Sequence, residues 1–312
     1  MTRLQRAALA SGLSGILAIV ATGMALAGTG QPSPGQIGMQ GAATDIADAI
    51  HWFHDFVNFI IIAIALFVLA LLLIVIFRFN ERANPTPSKT THNSLLEVVW
   101  TVVPILILVV IALPSFKLLF AQYTYPKPDL VLKATGNQWN WTYAYPDHAL
   151  ANGRPVSFTS IILTDKEREE RIKKGIPAPR LLAVDNEVVV PVGKNVHVIV
   201  TASDVIHNWT VPSFGSKVDA VPGRTTATWF RARQEGIYYG QCSELCGKDH
   251  AFMPIAVRVV SQGVFDAWIA AQKARDRKKA QEIIEKAAIE HAKKPVAAIG
   301  ETEKVASAAT TR

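Results

Sequence analysis

Cys242-Ser243-Glu244-Leu245-Cys246-Gly247-Lys248-Asp249-His250-Ala251-Phe252-Met253 holds both cysteines of the 312-residue chain, with a histidine and a methionine inside one loop length. Two thiolates, an imidazole and a thioether form a soft donor set that suits copper. A further imidazole stands upstream: His207, in Asp204-Val205-Ile206-His207-Asn208-Trp209, after the strand-like run Asn195 to Thr201. Two plainer readings remain open at this point. Cysteines at i, i+4 could close a small disulfide outside the cytoplasm. Cys242, Cys246, His207 and His250 could hold a tetrahedral zinc. Neither gives Met253 a part.

Outward from this loop, short alternating runs continue in both directions. Leu130 to Thr135, Trp139 to Tyr145, Val156 to Leu163, Glu187 to Val192, Val196 to Thr201, Thr225 to Arg231, Gly236 to Gly240 and Pro254 to Val260 read as strands, with Gly, Pro, Asn and Asp between them. So many short strands at this spacing predict a β-sandwich or barrel over residues 121–270. Asp165 to Gly175 interrupts them with dense Lys, Arg and Glu, as a solvated helix or loop. Phe265 to Ala288 has a helical pattern, and residues 271–312 form a charged helical to disordered tail.

The N-terminal third has another character. Half of the chain is hydrophobic and the mean hydropathy is +0.22, which points to membrane segments beside one ordinary domain. Residues 1–28 read as a signal peptide, with Arg3 and Arg6 before an apolar run and Ala25-Leu26-Ala27 as a cleavage site. Residues 29–50 read as a flexible Gly/Pro-rich linker. Residues 51–120 form a transmembrane hairpin with helices at about 56–78 and 95–120, each long enough to span a bilayer. Arg78, Arg82 and Lys89 in the short connection place it in the cytoplasm. Both ends of the hairpin and the β domain then face the periplasm of a bacterial inner membrane. Ser94 with Glu97 three residues later predicts a capping box at the second helix. Net charge is +7, and the tail from 271 carries ten Lys/Arg against six Asp/Glu. That distribution, without interleaved aromatics, does not argue for nucleic-acid binding.

Tyr238-Tyr239-Gly240-Gln241-Cys242-Ser243-Glu244-Leu245-Cys246-Gly247, followed by His250 and Met253, resembles the binuclear copper loop of subunit II of haem-copper cytochrome c oxidase, of the aa3 and alphaproteobacterial type. The resemblance spans about residues 45–270. It implies a two-helix hairpin followed by a Greek-key cupredoxin-like sandwich. It implies a copper A centre with Cys242 and Cys246 bridging two coppers, His207 and Met253 on one, and His250 and the Glu244 carbonyl on the other. The Glu244 carboxylate would face a magnesium ion shared with subunit I, where haem a and copper B carry the oxygen chemistry and proton translocation. Trp139, in Gly136-Asn137-Gln138-Trp139-Asn140-Trp141-Thr142-Tyr143, matches the aromatic that first receives electrons from cytochrome c. Asn140 departs from the aromatic usual there. Glu97, in Glu97-Val98-Val99-Trp100-Thr101, matches the mouth of a proton path. Subunits I and III, cytochrome c and the membrane are the implied partners. A basic cytochrome c calls for acids, and Asp147, Asp185, Glu187 and Asp204 are the candidates. Trp141, Tyr143 and Tyr145 are expected to pack in the core, and Trp209 and Phe252 to shield the coppers from water. A quinol oxidase of the same fold would lack the ligands, and a copper carrier would expose them.

Overall fold

The structure is a computed structural model that describes residues 30–293. It divides into two units, one of residues 48–124 and the other holding the β domain with residues up to 47.

The first unit is a helical hairpin. Helix α1 runs Asp45–Arg78 and α2 runs Ser94–Tyr123, with mean hydropathies of 3.6 and 2.7 over their most apolar windows. At 1.5 Å per residue they measure about 51 and about 45 Å, against a hydrocarbon core of about 30 Å. The excess explains why α1 starts earlier than position 56. Its first turns carry Asp45, Asp48, His51, His54 and Asp55, so hydropathy marks where the span begins, not where the helix begins. Trp52 stacks on Phe56 at 5.6 Å. Helix α2 contains Pro104 and Pro114. Its cap corrects the Ser94–Glu97 expectation. Extended Asn93 is the cap, and its side chain accepts from the amides of Leu95 and Leu96. Asn is among the best capping residues, and it moves the register one residue upstream. Glu97 therefore lies one position beyond a capping-box partner, and among the described residues its carboxylate has no hydrogen bond or ion pair.

The second unit is a sandwich of two five-stranded sheets. One has the order β3-β2-β1-β5-β8, from Pro155–Ser160, Asn140–Ala149, Leu130–Asn137, Val196–Ala202 and Thr226–Phe230. The other has the order β4-β10-β9-β6-β7, from Val188–Pro191, Pro254–Val260, Gly236–Cys242, His207–Val211 and Ser216–Ala220. Alternate residues of β1 and β5 point inward, as their period-two sequence dictates. Every position of β4 and β10 is buried. Their inner face packs in the sandwich, and the Leu182–Val184 loop covers Tyr239 and Ala256 on the outer face. Helix α4, Gln262–Lys273, adds Phe265, Trp268 and Ile269 to the sandwich core, with Phe265 and Trp268 against Tyr145 and Trp268 against Phe158.

Strands β6 and β7 escaped the sequence reading. The buried positions of β6 include His207 and Asn208, polar residues that hide an apolar alternation, and β7 is a half-exposed edge. The charged interruption is helix α3, Asp165–Lys173, closed by a true capping box between Thr164 and Glu167. The helix expected over 265–288 is two helices. Arg275 adopts φ +59° and Asp276 then accepts the Lys279 amide, so α5, Arg277–Lys293, starts afresh. No Gly or Pro marks that break.

Residues 30–44, expected as a flexible linker, are tied to the β domain. The Gly30 carbonyl accepts the Tyr239 amide at 2.7 Å, Ala43 donates to Ser213 O at 2.8 Å, and Thr44 Oγ1 donates to Phe214 O at 2.8 Å. Gly30 thereby satisfies β9 where β6 no longer pairs with it, and Ala43 and Thr44 hold the Pro212–Phe214 turn. The expected signal peptide, residue 29 and the tail from 294 lie outside the described residues.

Candidate metal centre

Two neighbouring strands build the centre. Strands β6 and β9 pair antiparallel with Trp209 opposite Cys242, which puts His207, at the start of β6, beside Cys242, at the end of β9. The loop from Ser243 to Met253 returns into β10, where Pro254 pairs with Gln241. Ser243 donates its amide to Asn208 O at 3.2 Å and pins the loop to β6. The close approach of β6 and β9 needs Gly240, because a Cβ there would fall 1.8 Å from the Thr210 carbonyl oxygen.

Six donors converge. The sulfurs of Cys242 and Cys246 are 3.9 Å apart, far beyond a disulfide bond of about 2.05 Å. His207 Nδ1 lies 3.9 Å from the Cys242 sulfur, and the Glu244 carbonyl oxygen 3.3 Å from it. His250 Nδ1 lies 3.4 Å and Met253 Sδ 3.5 Å from the Cys246 sulfur. Ligand atoms of His207, Cys242 and Cys246 lie within 4.8 Å of one another. The set includes a donor from each half of the expected pair against each cysteine. Six donors exceed what one tetrahedral ion takes, which argues against the zinc reading.

The electrostatics fit a cation between the sulfurs. Burial raises the Cys242 thiol, but hydrogen bonding with His207 and with the Glu244 and Asn208 backbone outweighs it, and the thiol ionises below its ordinary value. Burial and the neighbouring Cys242 charge push Cys246 up. The second thiolate therefore needs a bound cation to form, as expected of metal ligands. For His207, burial favours the neutral ring, but bonding to Cys242 and Asp204 prevails and raises its pKa.

Surrounding residues orient the ligands. His207 Nε2 is 2.9 Å from Asp204 Oδ1, which leaves Nδ1 for the metal side. Buried Trp141 meets the His207 ring edge to face at 6.0 Å and donates Nε1 to the Met253 carbonyl at 3.2 Å. Trp139 is half-buried in the two-residue β1–β2 turn, with Nε1 3.3 Å from the Cys246 carbonyl. Gln138 donates Nε2 to the same carbonyl at 2.8 Å. Trp209 and Tyr143 are fully buried and hydrogen bonded to each other at 3.4 Å. Phe252, expected to shield the coppers, is instead 44% exposed, because the 3-10 turn His250–Phe252 points it outward.

Gly136, at the end of β1, is a packing requirement that the sequence did not reveal. A Cβ there would lie 2.8 to 3.0 Å from the His207 ring and Cβ. Gly136→Ala is expected to displace His207 and lower copper affinity about 10–100-fold, the range for disturbing a ligand's support. Competition with a copper chelator checks it.

The candidate docking acids divide. Glu187 is corrected: it is buried between β4 and β10, bound to Arg258 and 3.6 Å from Arg171, so it offers no surface charge. Asp185 accepts the amides of Ile161 and Asn186, and Asp147 accepts that of Val131. Asp204 serves the centre itself. Glu244 turns its carbonyl to Cys242, and the residue is exposed.

The family model for the cytochrome c oxidase subunit II periplasmic domain matches residues 130–260, and that for its transmembrane domain matches residues 32–118. The chain is 48% identical over 242 residues to a probable cytochrome c oxidase subunit 2 of Rickettsia bellii, covering 78% of this chain and 86% of that one. It is 46% identical over 269 residues to cytochrome c oxidase subunit 2 of Cereibacter sphaeroides, covering 83% and 89%. The solved periplasmic domain of cytochrome oxidase subunit II of Bradyrhizobium japonicum is 51% identical, covers 49% of this chain and 99% of that one, and superposes with a TM-score of 0.43. With its apolar hairpin, its cupredoxin-like sandwich and these matches along most of its length, the chain belongs to the cytochrome c oxidase subunit II family and is a subunit of an oxidoreductase.

Proposed function

We propose that this chain accepts electrons from cytochrome c and delivers them to haem a of subunit I, using a copper A centre held by His207, Cys242, Glu244, Cys246, His250 and Met253. The convergence of four further donors on two sulfurs 3.9 Å apart carries this reading. Bound copper supplies one-electron transfer there. The chain's own residues keep that transfer fast. Cys242 and Cys246 would hold the copper through their sulfurs, Asp204 and Trp141 hold His207 and Met253 still, and Trp209 keeps water away. Trp139 offers a half-exposed ring to the donor protein and touches a ligand through the Cys246 carbonyl.

The exposed Glu244 carboxylate is the chain's contribution to a magnesium ion at the subunit I boundary, since magnesium takes one or two carboxylates and keeps its waters. Oxygen reduction at copper B and proton translocation belong to subunit I, with subunit III completing the assembly. The unpartnered Glu97 carboxylate supports its place at the mouth of a proton path. The apolar hairpin and its basic connection support an inner-membrane subunit with the copper domain in the periplasm.

Rapid mixing of purified oxidase with reduced cytochrome c tests the route. Trp139→Ala is expected to slow copper reduction by orders of magnitude while leaving copper content and donor affinity near the parent values. An unchanged rate would remove Trp139 from the path.

A further inference from the structure

Asp204 connects two parts of the centre that come from different strands. Its Oδ1 is 2.9 Å from His207 Nε2 and accepts the Val205 amide at 2.7 Å. Its Oδ2 accepts the Gln138 amide at 2.7 Å. Gln138 forms the β1–β2 turn together with Trp139, and both side chains of that turn reach the Cys246 carbonyl. The turn is thus clasped to Cys246 on one side and, through one carboxylate, to His207 on the other. The Asp204 side chain is 31% exposed, and both of its oxygens already have partners inside the chain. That is an unusual use of an acid if its only task were to attract a basic protein.

We infer that Asp204 is a positioning residue of the copper centre. One of its oxygens fixes the His207 ring with Nδ1 toward the Cys242 sulfur, and the other holds the turn that presents Trp139. The inference rests on the copper reading above. The donor pattern makes it specific. All three partners of Asp204 bring hydrogens, so a carboxylate matches them and an amide does not. In Asp204→Asn, one position of the side chain becomes a donor and must face either the Gln138 amide or the His207 and Val205 pair. Asp204→Glu keeps the charge but moves the carboxylate by one methylene, out of register with both.

The experiment uses the assembled oxidase carrying each variant, with Asp147→Asn as a surface control. Copper per chain, copper affinity by chelator competition, nitrogen couplings by pulsed paramagnetic resonance and the midpoint potential are measured. Reduction by cytochrome c is followed at low and high ionic strength, because salt screens a docking charge but not a buried contact. Both Asp204 variants are expected to bind copper about 10–100-fold more weakly, to alter the coupling of one histidine nitrogen, to shift the potential, and to be reduced slowly even at high salt. Asp204→Glu behaving as the parent, with a defect confined to Asp204→Asn that disappears at high salt, would overturn the inference and leave Asp204 a docking charge. If Asp204→Asn does not assemble, Asp204→Glu alone decides. Two coppers in the parent chain uphold the copper reading whichever way the variants fall, and fewer in the parent would remove that reading instead.

Discussion

Cys242→Ser is expected to abolish the shared-electron copper signal and with it turnover on reduced cytochrome c. The hydroxyl that replaces the thiolate is a hard, neutral donor at neutral pH, while copper favours soft sulfur. The geometry makes this more than the loss of one ligand. Cys242 faces both His207 Nδ1 and the Glu244 carbonyl, so its sulfur is the common neighbour of donors assigned to different coppers. The variant is expected to retain at most one copper, with a spectrum localised on one nucleus. Cys246→Ser has the same outcome by the mirrored argument, because its sulfur faces His250 and Met253. Metal analysis and paramagnetic resonance of the purified variants read both effects.

Arg258→Met is expected to lower the stability of the β domain by about 3–5 kcal/mol, the usual cost of leaving a buried charge without its partner. Arg258 is 1% exposed on β10 and binds Glu187, the residue before the adjacent strand β4, through Nε and Nη2, the latter at 2.9 Å. Burial by itself would raise the Glu187 pKa, but the charge and hydrogen bonds of Arg258, helped by Arg171, hold it below the ordinary 4.5. A carboxylate with a depressed folded-state pKa contributes its stability above the unfolded value and loses it as pH falls through the folded one. The parent domain should therefore soften below about pH 4.5, and Arg258→Met should soften at higher pH, where Glu187 must take up a proton to remain buried. Adding Glu187→Leu to Arg258→Met should restore much of the loss, since a well-packed apolar pair replaces a buried ion pair at little cost. Thermal unfolding of the parent and the two variants across pH measures this.

The candidate metal-binding residues were legible because metal chemistry restricts residue type and spacing so strongly. Cys242, Cys246, His250 and Met253 lie in one loop, and His207 stands out as the imidazole that follows the strand-like run Asn195 to Thr201. The sandwich was legible wherever strands alternate, as β1 and β5 do. What stayed hidden depends on pairing in three dimensions. Strand β6 carries its polar ligand side inward and so does not look like a strand. Gly136 matters only because His207 packs on it. Asp204 and Glu187 are both acids between apolar runs, yet one orients a ligand and the other is buried against Arg258. Helix starts were misplaced for a related reason: apolar content reports the membrane span, while Asn93 and the polar first turns of α1 set where the helices begin.

The most direct test is the copper content and paramagnetic resonance of the oxidase purified with this chain, after the contributions of subunit I are subtracted. Two coppers assigned to this chain, with one unpaired electron spread over both nuclei and lost in Cys242→Ser, are the predicted result. One copper with a single-nucleus spectrum, or a zinc ion in its place, would contradict it.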